Sequence, residues 1–349
     1  LSAADRMRIV KGIPSRQTPL AVWEVVRESL LHRRIFKVNP LLGYMHMSLA
    51  FGWFLLIVVG WIETVAYLGF RYVPLHGHVF FKYFATELPH KPVFDFLMDL
   101  LLLFVLSGVT LAFGKRIYSQ AMGMHRTTRH VLGDRIALSV LWLIFPARLL
   151  AESITCALHG GGGFLTGTIG EWMAHHVNPI VLQTLYEPLW WAYSICLGLF
   201  FIVLPFSRYM HIFTEIPLIF LRRYKLHSTE KEGSFDRFQT DACSRCGICI
   251  DPCQLQSELG IDDVQSVYFL RDRRYNHLRQ SVANNCLMCG RCEQRCPVGI
   301  ELNTLRLNSR DTMRNTPDEK RYEYFQGVDR SAGEGRVCLL YTSPSPRDA

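Results

Sequence analysis

The sequence predicts an all-α membrane protein: four transmembrane helices in a bundle, followed by a smaller, mainly α-helical domain organised by cysteine. Three observations carry this prediction. Four apolar stretches reach the roughly 20 residues a helix needs to cross a bilayer. The 349-residue chain then changes character, with apolar runs dominating 41–221 and charged and polar residues filling 222–337. Within the polar part, eight of the eleven cysteines fall into two runs of identical spacing.

The apolar stretches lie at about 41–69, 93–114, 133–153 and 183–206. The first is too long and too rich in Trp and Phe for a signal-peptide core, and a polar segment of forty residues precedes it. Lys and Arg set the orientation. Arg6, Arg8, Lys11, Arg16, Arg27, Arg33, Arg34 and Lys37 crowd segment 1–40. Lys115, Arg116, Arg126 and Arg129 follow in 115–132, and Arg208, Arg222, Arg223, Lys225, Lys231 and Arg237 in 207–240. The Gly-rich loop 154–180 has neither residue type, and 70–92 has only Arg71, Lys82 and Lys91. Both ends of a four-span protein therefore face the cytoplasm, in the inner (cytoplasmic) membrane. The net charge of +8 follows from this bias and from anionic lipid, so no nucleic-acid partner is needed.

The cysteine runs are Cys243-Ser-Arg-Cys246-Gly-Ile-Cys249-Ile-Asp-Pro-Cys253 and Cys286-Leu-Met-Cys289-Gly-Arg-Cys292-Glu-Gln-Arg-Cys296-Pro297. Each reads C-x2-C-x2-C-x3-C, the spacing of a bacterial two-cluster ferredoxin, in which the fourth cysteine of each run ligates the other cluster. By that rule Cys243, Cys246, Cys249 and Cys296 hold one 4Fe–4S cluster, and Cys286, Cys289, Cys292 and Cys253 the other. Structural zinc uses four ligands in two separated pairs, and a disulfide framework belongs to small secreted domains; neither matches two runs of four. Cys156, Cys196 and Cys338 stand apart and read as packing. Thirty-two residues separate Cys253 from Cys286. That insert reads as helical over Gln254–Leu259 and Val264–Arg274, and Leu302–Met313 as a closing helix. A mainly helical ferredoxin similar to the succinate-dehydrogenase iron–sulfur type is the expectation. Arg245, Arg291 and Arg295 within the runs either tune potentials, dock an acidic partner or simply solubilise the surface.

Of thirteen histidines, two lie at the membrane segments: His46 and His211. His46 is about five residues into the first span, roughly 8 Å from its start at 1.5 Å per residue. His211 sits at the cytoplasmic end of the fourth, shortly after Pro205. Two imidazoles at matching depth on antiparallel helices can clamp one haem iron, with Gly43 and Gly52 letting a flat macrocycle approach the backbone. A lone helical histidine would read as a satisfied interior polar residue.

Residues 41–226 resemble the haem-b membrane (gamma) subunit of respiratory nitrate reductase. The likeness is carried by Pro205-Phe-Ser-Arg-Tyr-Met-His211-Ile-Phe-Thr-Glu-Ile-Pro217, by Arg222-Arg-Tyr-Lys-Leu226 and by Lys115-Arg-Ile-Tyr-Ser119. The resemblance implies that His46 and His211 ligate the haem nearer the cytoplasm. The family's second haem would need histidines where this chain has Leu56 and Tyr193, so one haem b is implied. Joined to a two-cluster domain, the whole resembles membrane-bound heterodisulfide-reductase-like iron–sulfur proteins. It implies electron exchange between a quinone and iron–sulfur clusters, with a cytoplasmic catalytic subunit or a cysteine-rich C-terminal domain as partner.

Charges inside the spans need a role. Arg148 lies four residues before Glu152 and forms either a self-neutralising ion pair or part of a quinone pocket or proton path with Glu63, Asp95, Asp99 and Glu187. Arg208 is a candidate for a haem propionate, and Arg222 and Arg223 mark the lipid headgroup level.

The expected divisions are a cytoplasmic N-terminal segment (1–40), the haem-b membrane domain (41–226), the ferredoxin-type domain (227–315), a linker (316–337) and a non-native tail (338–349) resembling a translated adapter. The chain reads as a fragment at both ends. The functional expectation is an oxidoreductase component, a membrane-bound electron-transfer subunit. Its rival is a membrane-anchored iron–sulfur redox sensor or assembly factor. A transporter is disfavoured because paired broken helices are missing from the spans.

Overall fold

The computed structural model describes residues 2–68, 91–121, 131–228, 233–257, 261 and 263–314. The linker and tail expected at 316–349, residues 70–90 of the loop 70–92 and residues 122–130 of the loop 115–132 lie outside them. Among the described residues every regular element is helical, as the sequence predicts. Contacts divide the described residues after Val25 and after Tyr209: those within 26–209 form one compact unit, and those within 2–25 join those within 210–314 in the other.

The chain opens with α1 (Ala3–Gly12) and α2 (Gln17–Val25). Ser2 and Asp5 close a capping box on α1: the Ser2 hydroxyl accepts the Asp5 N–H at 3.1 Å, and the Asp5 carboxylate accepts the Ser2 N–H at 3.1 Å.

The membrane unit comprises α3 (Arg33–Val38), α4 (Pro40–Leu68), α5 (Lys91–Ala121), α6 (Leu132–His159), α7 (Thr166–His176) and α8 (Pro179–Val203). Four helical segments are long and apolar enough to cross a bilayer: Pro40–Ala66, Lys91–Tyr118, Leu132–His159 and Pro179–Phe206. Large apolar side chains such as Ile57, Trp61, Leu143 and Ile202 stay exposed on them, which suits lipid rather than water. α4 and α5 pack closely because Gly108 meets Ser48, where a Cβ would clash with the hydroxyl. The Tyr44 and Ser107 hydroxyls hydrogen-bond across that seam at 2.7 Å. Trp53 fills the centre, its ring 5.6 Å from Phe145 and 5.2 Å from Phe200. Buried Trp190 of α8 donates its indole N–H to Thr155 of α6 at 2.9 Å.

One element departs from the sequence reading: the Gly-rich loop 154–180 contains α7. Gly160, Gly161 and Gly162, all with φ between 75° and 87°, reverse the chain after α6. The N-terminus of α7 lacks a capping side chain of its own, so Asp99 of α5 supplies one. Its carboxylate accepts the N–H groups of Leu165 (2.7 Å) and Thr166 (2.9 Å) and the Thr166 hydroxyl (2.8 Å). A cap borrowed from 66 residues away leaves no local signature.

The second unit adds α9 (His211–Arg223), α10 (Ser234–Asp241), α11 (Gln254–Ser257), α12 (Ser266–Arg274), α13 (Gln280–Asn284), α14 (Arg291–Arg295) and α15 (Leu302–Arg314) to α1 and α2. Leu218, Leu226, Phe269, Val282, Ile300 and Leu305 make its core. Buried Glu24 on α2 pairs with Arg222 (2.9 Å) and Arg223 (2.5 Å) on α9. These arginines, read from sequence as headgroup markers, thus fasten the N-terminal helices to this unit. Arg222 also donates to the carbonyl of Val298, two residues beyond Cys296.

Candidate metal centres and a membrane cavity

The two cysteine runs fold into loops with one backbone plan. In each, the third and fifth residues have positive φ: Arg245 (55°) and Gly247 (82°) in the first, Met288 (56°) and Gly290 (73°) in the second. Left-handed residues alternating with residues of negative φ turn successive N–H groups to one side, a concavity suited to negative charge and recurrent around iron–sulfur clusters.

Two thiol-lined cavities result. The first is lined by Cys243, Cys246, Cys249 and Cys296, the second by Cys253, Cys286, Cys289 and Cys292, with Cys249 also touching the second. The fourth cysteine of each run thus lines the cavity of the other run. Donors surround the sulfurs. Cys296 receives N–H groups from Val298, Gly299 and Ile300, Cys243 from Arg245 and Cys246 from Ile248. The Met288 N–H approaches Cys286 Sγ at 3.4 Å, and the Ser266 hydroxyl donates to Cys292 Sγ at 3.2 Å. Burial pushes the Cys243 thiol up to about 12 against these donors, and burial with neighbouring thiols raises Cys249 well above the usual thiol range.

The donor set fits a cubane better than a single ion. Tetrahedral zinc at about 2.3 Å from each sulfur draws the sulfurs to about 3.8 Å of one another. Among the described residues no group of three His, Cys, Asp or Glu side chains is arranged to hold a single metal ion. Four thiols spread around a cavity with inward N–H groups suit a larger anionic cluster.

The sequence reading missed several residues around these cavities. Arg306 and Arg310 on α15 and Ser266 at the start of α12 all reach the second cavity or its loop. They are distant in sequence from the runs that drew attention. Of the arginines inside the runs, Arg291 and Arg295 are exposed on α14. Arg245 is 6% exposed, packs 5.4 Å over the Tyr275 ring and donates to its hydroxyl at 3.0 Å, so it is not a surface group.

The membrane unit has a cavity of about 460 Å³. Arg148 and Glu152 line it, paired at 2.8 Å and 3.1 Å, together with Glu63 and Asp95. Trp53, Trp61 and Phe201 supply apolar wall. Asp99 also borders it but is engaged as the α7 cap, whereas Glu187 is exposed on α8 and does not line it. Leu56 and Tyr193, read as positions without a haem ligand, both line this cavity.

His46 lies on α4 with Nδ1 donating to the Leu42 carbonyl at 3.1 Å, which leaves Nε2 as the ligating nitrogen. Its ring centroid is 5.6 Å from that of His32, a buried residue with φ 50° whose own Nδ1 bonds the Leu30 carbonyl at 3.0 Å. His211 does not end the fourth span; α8 stops at Val203, two short 3-10 turns follow, and His211 begins α9 in the other unit. Arg208 gives its main-chain N–H to buried Asp134 at 2.7 Å, and its guanidinium lies 5.3 Å over the Tyr209 ring. The glycines expected to admit a macrocycle are used in packing instead. A Cβ on Gly43 would meet Phe36 at 2.6 Å, and one on Gly52 would meet Val105 at 2.7 Å.

Comparison with known proteins agrees with the cysteine geometry. Residues 239–300 match the 4Fe-4S dicluster domain family. No curated protein and no solved structure matches the chain. The chain therefore carries a two-cluster iron–sulfur domain and four membrane-capable helices, and its role is electron transfer.

Proposed function

We propose that the protein is a membrane-bound electron-transfer subunit of a respiratory oxidoreductase, exchanging electrons between a quinone in the lipid and a cytoplasmic, heterodisulfide-reductase-like partner. The single observation that carries this reading is the pair of thiol-lined cavities in a chain with four membrane-capable helices. Bound clusters supply one-electron transfer, held by Cys243, Cys246, Cys249 and Cys296 and by Cys253, Cys286, Cys289 and Cys292. A haem b, with His46 on α4 as a ligand, would complete the proposed set of redox groups. The Nδ1 bond that orients His46 supports this ligand role.

The 460 Å³ cavity is the proposed quinone site. A quinone head is flat, largely apolar and carries two acceptor oxygens, which matches aromatic walls with a few convergent polar groups. Oxidation of quinol to quinone releases two electrons and two protons. In this reading Glu63 and Asp95, which line the cavity, would accept the protons, and Arg148 would hold an oxygen while its partner Glu152 balances its charge. The clusters would face the cytoplasm, following the Lys/Arg bias of the loops.

The test is anaerobic reduction by a short-chain quinol. The protein should show quinol-dependent appearance of reduced-haem absorption bands and reduced-cluster paramagnetic resonance signals, and Arg148→Ala should slow both. Clusters that accept electrons from dithionite but never from quinol would refute the quinone-linked role.

A further inference from the structure

α15 brings a charge to the second cluster cavity that the cysteine spacing does not announce. Arg306 is 1% exposed, and its guanidinium lies wholly inside the iron–sulfur domain. Its terminal nitrogens donate to the carbonyls of Val264 and Val282. Its Cζ stands 4.4 Å from the ring centroid of Phe269, which is itself fully buried. The remaining nitrogen, Nε, is buried without a partner. Arg306 lines the cavity formed by Cys253, Cys286, Cys289 and Cys292.

Among the described residues no carboxylate pairs with it. A buried cation is costly unless an opposite charge accompanies it. Two carbonyls and an aromatic face hold a guanidinium in place but do not neutralise it. Among the described residues that line the cavity, the groups able to carry negative charge are the cysteine thiols, which a metal cluster would hold as thiolates. Arg310, one turn further along α15, braces the same loop by donating to the carbonyls of Ala283 (3.0 Å), Asn284 (3.0 Å) and Cys286 (2.7 Å). Arg310 directs these donors to backbone, whereas Arg306, which lines the cavity, keeps a buried Nε without a partner.

We propose that Arg306 is the built-in counter-charge of the cluster at Cys253, Cys286, Cys289 and Cys292, a positioning residue that raises its reduction potential selectively. This rests on the two-cluster reading. Reduction adds one electron and one negative charge to the cluster, with no bond broken and no proton moved. A fixed positive charge at the cavity wall stabilises the reduced form more than the oxidised form. The two clusters, alike in ligand spacing, are made unequal by a residue outside both runs.

The experiment is anaerobic potentiometric titration of the full chain in detergent, read by electron paramagnetic resonance, with dithionite as reductant through mediators. Wild type, Arg306→Lys and Arg306→Gln are compared. Arg306→Gln should lower the equilibrium constant for reducing one cluster about tenfold, about 59 mV more negative for one electron, and leave the other unchanged. Arg306→Lys, which keeps the charge, should titrate near wild type. Unchanged potentials in Arg306→Gln, or an equal displacement in Arg306→Lys, would overturn the proposal in favour of packing alone. If Arg306→Gln fails to assemble the cluster, Arg306→Lys decides: an assembled cluster near the wild-type potential supports the charge role, and its loss refutes it. Failure of the two-cluster reading is distinguishable, because it would show as non-haem iron well below about eight atoms in the wild-type chain.

Discussion

Arg245 and Met288 hold the same station, third residue of their cysteine runs, and share a left-handed backbone at φ 55° and 56°. Left-handed geometry costs an L-residue about 1–2 kcal/mol. Two unrelated side chains held this way at equivalent positions point to a demand of the loop itself, the turning of N–H groups toward the thiols.

That demand can be tested at Met288. Met288→Gly removes the left-handed penalty and adds about 0.5–1 kcal/mol of unfolded-chain freedom, so iron content should be retained and unfolding temperature hold or rise slightly. Met288→Val puts a β-branched residue where such residues are outliers and should lose iron from the second cluster. Full iron content in the valine variant would show that the backbone conformation is dispensable.

The crossing of the fourth cysteines gives a paired prediction. Cys296→Ser should damage the cluster of Cys243, Cys246 and Cys249, although it lies in the second run. Cys253→Ser should damage the cluster of Cys286, Cys289 and Cys292. Paramagnetic resonance of each variant separates the outcomes, since ligands confined to their own runs would reverse the pattern.

Iron removal should expose a dependence on alkaline pH. Burial raises the Cys243 thiol from about 9 to about 12, so the folded iron-free protein holds its proton more tightly than the unfolded chain. The resulting stability is present below about pH 9 and is lost as pH rises toward 12. Thermal unfolding of iron-free protein should fall across that window, and Cys243→Ser should flatten the fall. Iron uptake, which needs thiolates, should conversely strengthen as pH rises.

Glu24 ties the N-terminal helices to the cluster-bearing unit through Arg222 and Arg223. Removing one member of a buried pair costs about 3–5 kcal/mol, and the partial exposure of Arg223 reduces this to about 2 kcal/mol for Glu24→Gln. The unfolding temperature should drop by several degrees. An unchanged transition would mean that segment 1–25 contributes little to this unit.

The legible parts of the molecule were those with local codes. Four apolar stretches of bilayer length gave four helices, and eight cysteines at fixed spacing gave two cavities in the crossed arrangement. Features assembled from distant residues were not legible. α7 is capped by Asp99 from α5, and a loop of four glycines with no cap of its own hides it. Arg306 reaches its cavity from a helix that reads as an ordinary amphipathic closer. His32 stands beside His46 because the chain turns through a left-handed residue at position 32 itself. Gly43 and Gly52, read as openings, are filled by Phe36 and Val105, since a small residue on a helix invites a neighbouring helix as readily as a ligand.

Iron and acid-labile sulfide, measured with paramagnetic resonance on the anaerobically purified protein, test the central claim most directly. The account predicts about eight non-haem iron and eight sulfide atoms per chain, with two reduced-cluster signals broadened by mutual coupling. Zinc in place of iron, or a single cluster that survives Cys253→Ser and Cys296→Ser alike, would contradict it.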